Sequence, residues 1–185
     1  MRIIAGKYKG KKIDFPKVQN VRPTQDKVKE AIFNILKDED LTGAKVLDLF
    51  AGSGSLGLEA VSRGAAKAVF IDSDPKSFAT IRKNIKSLAC EDITEVFRTD
   101  FDTAIKKLHR NGYVFDIIFL DPPYYKDLPK KALLKMCQYD ILSPYNIIII
   151  EHSKRDLIPE SLDKINLLLT KKYGDTFVSF YRKIQ

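Results

Sequence analysis

Lys45-Val46-Leu47-Asp48-Leu49-Phe50-Ala51-Gly52-Ser53-Gly54-Ser55-Leu56-Gly57 is an apolar run that breaks into a glycine-rich turn and resumes as a helical pattern. An apolar run of strand length ending in a glycine cluster predicts a buried parallel strand feeding a helix. Gly52, Gly54 and Gly57 satisfy G-x-G-x-x-G, and Asp72 follows Gly52 by twenty residues, at the end of the next strand-like run, Lys67 to Ile71. That spacing is the dinucleotide fingerprint of a doubly wound fold. The glycines alone also fit a tight strand-to-helix turn that binds nothing.

On either side of this stretch, strands and helices alternate. Strands are expected near 45–50, 67–71, 93–99, 115–120 and 146–151, and helices near 55–63, 75–89, 102–111 and 129–138. Strict alternation of this kind produces right-handed parallel crossovers and hence a doubly wound α/β sheet. The last strand-like stretches, Ile165 to Tyr173 and Thr176 to Lys183, are separated only by Gly174-Asp175, a hairpin turn signal. An antiparallel hairpin closing a parallel sheet is not expected of an NAD domain. At the other end, residues 3–8 and 12–15 read as a short hairpin turning at Gly10, and Pro23 with Thr24 opens a leading helix over 22–37. Its expected apolar face is Val28, Ala31, Ile32, Ile35 and Leu36. The organisation expected is one domain over 1–185, with a hairpin extension over 1–20 and a catalytic core over 44–185; no repeat, linker or low-complexity segment interrupts it.

The acids discriminate between ligands better than the glycines do. A pyrophosphate wants backbone donors and no carboxylate nearby, so Asp48 at the mouth of the first turn is awkward for NAD and implies a ligand carrying a cation. S-adenosylmethionine fits: its ammonium suits acceptors near Asp48, and its carboxylate suits a helix N-terminus. Asp72 is then placed for the ribose hydroxyls, and Asp100, after the next strand-like run, for the adenine amino group. Each acid taken singly also reads as a helix N-cap or a solvated loop carboxylate.

Asp121-Pro122-Pro123-Tyr124 follows the apolar run Phe115 to Leu120 and so lies at another strand end. The exocyclic nitrogen of a nucleobase is a poor nucleophile, because its lone pair is delocalised into the ring. It needs acceptors aimed at its hydrogens. The Asp121 carboxylate and the Pro122 carbonyl supply acceptors, the two prolines stiffen the backbone that carries them, and the Tyr124 ring offers a stacking platform.

Taken together, Asp48-Leu49-Phe50-Ala51-Gly52-Ser53-Gly54 and Asp121-Pro122-Pro123-Tyr124 resemble the class I methyltransferases that modify amino groups. Arg2-Ile3-Ile4-Ala5-Gly6-Lys7-Tyr8-Lys9-Gly10, and the run from Val21-Arg22-Pro23-Thr24 to Leu36, narrow this to a resemblance to the RsmD-type 16S ribosomal RNA guanine-N2 methyltransferases of bacteria. The resemblance implies a Rossmann-like, mostly parallel seven-stranded sheet with an antiparallel C-terminal hairpin. It also implies S-adenosylmethionine as cofactor and the small ribosomal subunit as partner. Arg22 and Thr24 are carried over as residues near the methionine end of the cofactor, and Phe50 and Ser53 as further cofactor contacts; Thr24 also reads as a helix N-cap. Asp72 stands where the family often has Glu, a change that keeps the ribose role.

A +8 net charge and an isoelectric point near 9.3 point to an anionic partner. Residues 1–30 hold nine Lys or Arg against three acids, which makes Arg2, Lys7, Lys9, Lys11 and Lys12 candidates for RNA phosphate contacts, although a basic ribbon also fits a merely solvated face. Cys90 and Cys137 are too few and too distant for a zinc knuckle or a disulfide framework, and they read as reduced cytosolic thiols. No metal site, signal peptide or membrane span is expected, and the chain is expected to act as a monomer. His109 reads as a surface residue, and His152, at a strand end, as packed or solvated rather than substrate-facing. The competing functions are a DNA adenine-N6 methyltransferase, which usually adds a recognition region, a protein-glutamine methyltransferase, whose motif typically begins with Asn, and a non-catalytic RNA-binding module on a Rossmann scaffold.

Overall fold

The computed structural model describes residues 1–16, 24–36, 41–123, 127–156 and 158–184. Five parallel strands, β1 (Lys45–Leu49), β2 (Lys67–Asp72), β3 (Thr94–Arg98), β4 (Phe115–Leu120) and β5 (Leu142–Ser153), are followed by β6 (Ser161–Leu162), β7 (Ile165–Tyr173) and β8 (Thr176–Lys183). Among the described residues these make one eight-stranded sheet in the order β3-β2-β1-β4-β5-β8-β7-β6, with β8 inserted antiparallel beside β5. The expected seven strands thus gain an eighth of two residues, too short to carry an alternation. β5 is also longer than expected, because it begins against Phe115, before a register shift in which β5 carries the extra residues.

Helices α1 (Thr24–Ile35), α2 (Ser55–Ser62), α3 (Pro75–Leu88), α4 (Phe101–Arg110) and α5 (Leu128–Tyr139) cover both faces. Strands such as Phe115–Leu120 are buried on both sides, so they read as apolar runs rather than alternations. One face packs Ile32 and Phe33 of α1, Leu58 of α2 and Ile81 of α3 against Val46, Ile117 and Phe119, with the Phe33 and Phe119 rings 5.7 Å apart. The other face packs Ile105 of α4 and Leu133 of α5 against Leu47, Ile118 and Ile148. The apolar face of α1 differs from the expectation: Lys29 and Phe33 are buried, while Ala31 and Ile35 are only half-buried.

The N-terminal hairpin shrinks to a single bridge between Arg2 and Lys12, flanked by Ile3 N donating to Lys11 O (3.0 Å) and Ile13 N to Met1 O (3.1 Å). The cause is the partner chosen by the intervening amides. Ile4 and Ala5 donate to the Glu59 carboxylate (2.8 and 3.0 Å), Lys7 to Ser62 O (2.7 Å) and Tyr8 to Ser62 Oγ (2.9 Å). Backbone groups satisfied by α2 are not available to a ladder. Gly6 permits this approach: at φ +79° a side-chain Cβ there would lie 1.8 Å from Ser62 O.

Candidate functional site

A cavity of about 870 Å³ opens at the C-terminal ends of β1, β2 and β4, where the strand order reverses between β1 and β4. Such a switch point is where doubly wound sheets bind ligands. Asp48, Phe50, Gly52, Ser53, Asp72, Asp100, Asp121, Pro122 and Pro123 all line it. Four of those carboxylates therefore converge on one space from four strand ends. Arg22 and Tyr124 lie outside the described residues, as does the side chain of Thr24, although Thr24 opens α1.

The glycine turn is held from below by acids. Asp48, almost fully buried, accepts from the Gly57 amide through Oδ2 (2.9 Å). Burial pushes its carboxyl up to about 7, the nearby Asp72 charge adds to the rise, and the Gly57 hydrogen bond opposes it. Asp72 accepts from Gly52 N through Oδ2 and from Asp74 N through Oδ1, both at 2.8 Å. It thus fixes the turn's first glycine as well as facing the cavity. Gly52 adopts φ +57° with open space where a Cβ would stand. Phe50 carries a positive φ of 70° without being glycine, a strained conformation of the kind that collects at binding sites. Its ring meets that of Phe101 at 5.5 Å on the cavity wall.

Gly54 does not line the cavity. It stands at the N-cap of α2 with φ 78°, and a Cβ there would press on the Phe70 ring at 3.3 Å, so its demand is for conformation and packing. Asp100 lines the cavity and also caps α4, accepting from Thr103 N at 3.0 Å, and this hydrogen bond keeps its carboxyl below the ordinary range. The helix N-cap that the sequence left open for Asp100 is therefore present, on a residue that also borders the cavity.

The N-terminal segment is part of the wall, which sequence reasoning missed. Met1, Phe15 and Pro16 line the cavity, as do Lys29 and Ile32 of α1. Asn84 of α3 ties this wall to the turn, donating to Ser53 O (2.9 Å) and Asp14 O (3.0 Å) and accepting from Asp14 N (2.9 Å). Buried Glu59 gathers the rest: besides the Ile4 and Ala5 amides it holds Arg63 Nε at 2.9 Å and Lys29 Nζ at 3.4 Å. Lys29 in turn donates to Arg2 O (2.8 Å); burial lowers its pKa and Glu59 pulls it back. Glu151 and Thr176 line the cavity as well.

Arg2, Lys7, Lys9, Lys11 and Lys12 are all exposed. The turn carrying Lys7 docks at Ser62, the end of α2 farther from the cavity, whereas Met1 meets Ser55 at the near end. Seven residues of helix separate those ends by about 10 Å. His109 is exposed, and His152 is buried, with Nε2 2.8 Å from Ser179 Oγ; neither lines the cavity. Burial raises both cysteine thiols, Cys90 to about 11. Among the described residues no cluster of three His, Cys, Asp or Glu side chains could hold a metal, and no helix is long and apolar enough to cross a membrane.

Comparison with known proteins bears on the whole chain. The family described as conserved hypothetical protein 95 matches residues 1–182. Ribosomal RNA small subunit methyltransferase D of Escherichia coli is 31% identical over 183 residues, 99% of this chain and 90% of that protein. The chain belongs to this methyltransferase family. A Bacillus subtilis member, provisionally named an rRNA methyltransferase, is 39% identical over 99% of both chains. The solved structure of the E. coli methyltransferase yhhF superposes with a TM-score of 0.85 at 31% identity, covering 99% of this chain and 97% of that one. The chain is accordingly a methyltransferase, and the α/β architecture with its antiparallel C-terminal hairpin is that of the family. No local pattern in the sequence signalled that the opening residues wall the cavity.

Proposed function

We propose that the protein transfers a methyl group from S-adenosylmethionine to the exocyclic N2 amine of a guanine in 16S ribosomal RNA of the small subunit. The observation that supports this most is the meeting of two halves in one cavity, the acid-backed glycine turn of β1 and β2 and Asp121-Pro122-Pro123 after β4. The donor set fits the cofactor. Buried Asp48 faces a place where a cation would restore its ionised form, the open space over Gly52 leaves room for the methionine end, and Asp72 and Asp100 offer carboxylates to ribose and adenine. When bound there, S-adenosylmethionine supplies an electrophilic methyl on a sulfonium.

The chain's own part is positioning. Asp121 and the Pro122 carbonyl accept the two amine hydrogens and leave the nitrogen lone pair turned toward the glycine-turn half. Pro122, Pro123 and Leu128 line this part of the cavity with apolar surface. A target base reaches this depth only by leaving its stack, and Tyr124 then stacks upon it. Once methylated, the nitrogen is cationic and its proton is acidic, so it passes to Asp121 or to water without a strong general base. The name of the E. coli relative, a ribosomal RNA small subunit methyltransferase, supports the RNA substrate, as does the basic opening segment.

The test is incubation with labelled S-adenosylmethionine and either naked RNA, duplex DNA or undermethylated small subunits, followed by nucleoside mass spectrometry. N2-methylguanosine from RNA or subunits is expected. Label in N6-methyladenine of DNA, or in none of the three, would overturn the proposal.

A further inference from the structure

Glu151 stands beside Asp121. Leu120 of β4 and Ile150 of β5 are register partners in a parallel pair, so the next residue on each strand occupies the same level, with backbones about 4.8 Å apart. The direction of both side chains follows from packing. Phe119 and Ile149 belong to the cluster beneath α1, α2 and α3, whereas Leu120 and Ile150 belong to the opposite one. One residue farther on, Asp121 and Glu151 return to the α1 side, where both are half-buried on the cavity wall with Ile32 and Thr176. Two carboxylates therefore form one edge of the substrate half.

Paired acceptors select among amino-bearing bases. In adenine the exocyclic amine is flanked by ring acceptors, and in cytosine its ring-nitrogen neighbour is an acceptor. In guanine one neighbour of the amine is N1–H, a donor. A carboxylate next to the amine's own acceptor repels the first two bases and completes a hydrogen bond with the third. We infer that Glu151 is a specificity-determining residue that accepts guanine N1–H while Asp121 holds the adjacent amine. The assignment rests on the base-methylation function proposed above. A site built to hydrogen-bond a substrate N–H rejects analogues lacking it far more strongly than one relying on shape, because the acceptor is left unpaired.

2-Aminopurine probes this contact, since it keeps the amine and presents N1 as an acceptor; because it also lacks the 6-oxo group, the contact is read from how the Glu151 variants change the preference. The methylated position is first mapped with the wild type, and small subunits are then reconstituted with guanine or 2-aminopurine there. The wild type should favour guanine in kcat/KM by at least about a hundredfold. Glu151→Gln, whose amide can donate to an N1 acceptor, should lower kcat/KM for guanine and shrink that preference at least tenfold. Glu151→Ala should shrink it too, and both variants should bind S-adenosylmethionine within a few-fold of wild type. A preference unchanged in both variants, even with activity reduced, would assign Glu151 to holding neighbouring chain and overturn the inference. Loss of cofactor affinity in both would place the residue in the cofactor half and do the same. Failure of the wild type to methylate any guanine would instead remove the underlying function, and the mapping step reveals that before any variant is compared.

Discussion

The proposed function gives Asp72 and Asp121, two carboxylates of one cavity, different duties, and substitution separates them. Asp121→Ala should abolish methyl transfer while leaving S-adenosylmethionine affinity within a few-fold, because its acceptors serve the amine; activity near wild type would remove it from that role. Asp72→Ala should act on the cofactor half, losing about 1.5–3 kcal/mol of binding, the worth of a charge-assisted hydrogen bond. The loss of its bonds to Gly52 N and Asp74 N should also loosen the turn. Isothermal calorimetry showing unchanged affinity would reject that placement. Asp48 adds a pH dependence. Its folded pKa is raised from 3.8 to about 7, so its contribution to stability is fully present below the unfolded value and is lost as pH rises through the folded one. Denaturation of the free protein across that window should show this loss, and Asp48→Asn should flatten it. A cationic ligand favours the ionised carboxylate, so binding at pH 6 should release a proton, and affinity should fall by up to about tenfold per unit below pH 7. Calorimetry in two buffers of different protonation heat measures the release; its absence would detach the ligand's cation from Asp48.

The elements are legible in the sequence where local physics decides them. Strands buried on both faces declare themselves as apolar runs, Asp74 followed by Pro75 marks the start of α3, and Gly174-Asp175 marks the closing hairpin between β7 and β8. What escapes is long-range. The Arg2–Lys12 segment reads as a freestanding hairpin because its amides' partners, Glu59 and Ser62, lie more than fifty residues away. Glu59 itself looks like a surface residue of α2 until Lys29, Arg63 and the Ile4 and Ala5 amides are brought around it. For the same reason Asp48 in β1 and Asp72 at the end of β2 read as ligand contacts, with no sign that they pin Gly57 and Gly52. Glu59→Ala should therefore cost about 3–5 kcal/mol, because it strands a buried lysine and leaves amide donors unpaired. Urea unfolding measures it. A loss under about 1 kcal/mol would mean that the clamp does not hold the opening segment in place.

For the molecule as a whole, the charge distribution matters most to how RNA is met. Of the +8 net charge, +6 lies in residues 1–30, from nine basic residues less three acidic ones, and residues 1–16 dock along α2 with Lys7, Lys9, Lys11 and Lys12 exposed. The docking divides them. Lys7 belongs to the turn held at the far end of α2, whereas Lys12 pairs through its backbone with Arg2, toward the Met1 end that walls the cavity. If both groups track phosphates, changing Lys7, Lys9, Lys11 and Lys12 together to Ala should weaken RNA binding and reduce the slope of log affinity against log salt by roughly 0.7–0.9 for each phosphate left without its lysine. The Lys11 and Lys12 pair should affect methyl transfer more than the Lys7 and Lys9 pair, whose phosphates would lie farther from the target base. S-adenosylmethionine affinity should be unchanged in all three variants, since the cavity wall is made by Met1, Phe15 and Pro16 rather than by these lysines. Filter binding to small subunits across a salt series, with the cofactor titrated in parallel, separates this from a ribbon that only solubilises the surface. An unchanged salt slope in the quadruple variant would end the assignment of the opening segment as an RNA-binding arm.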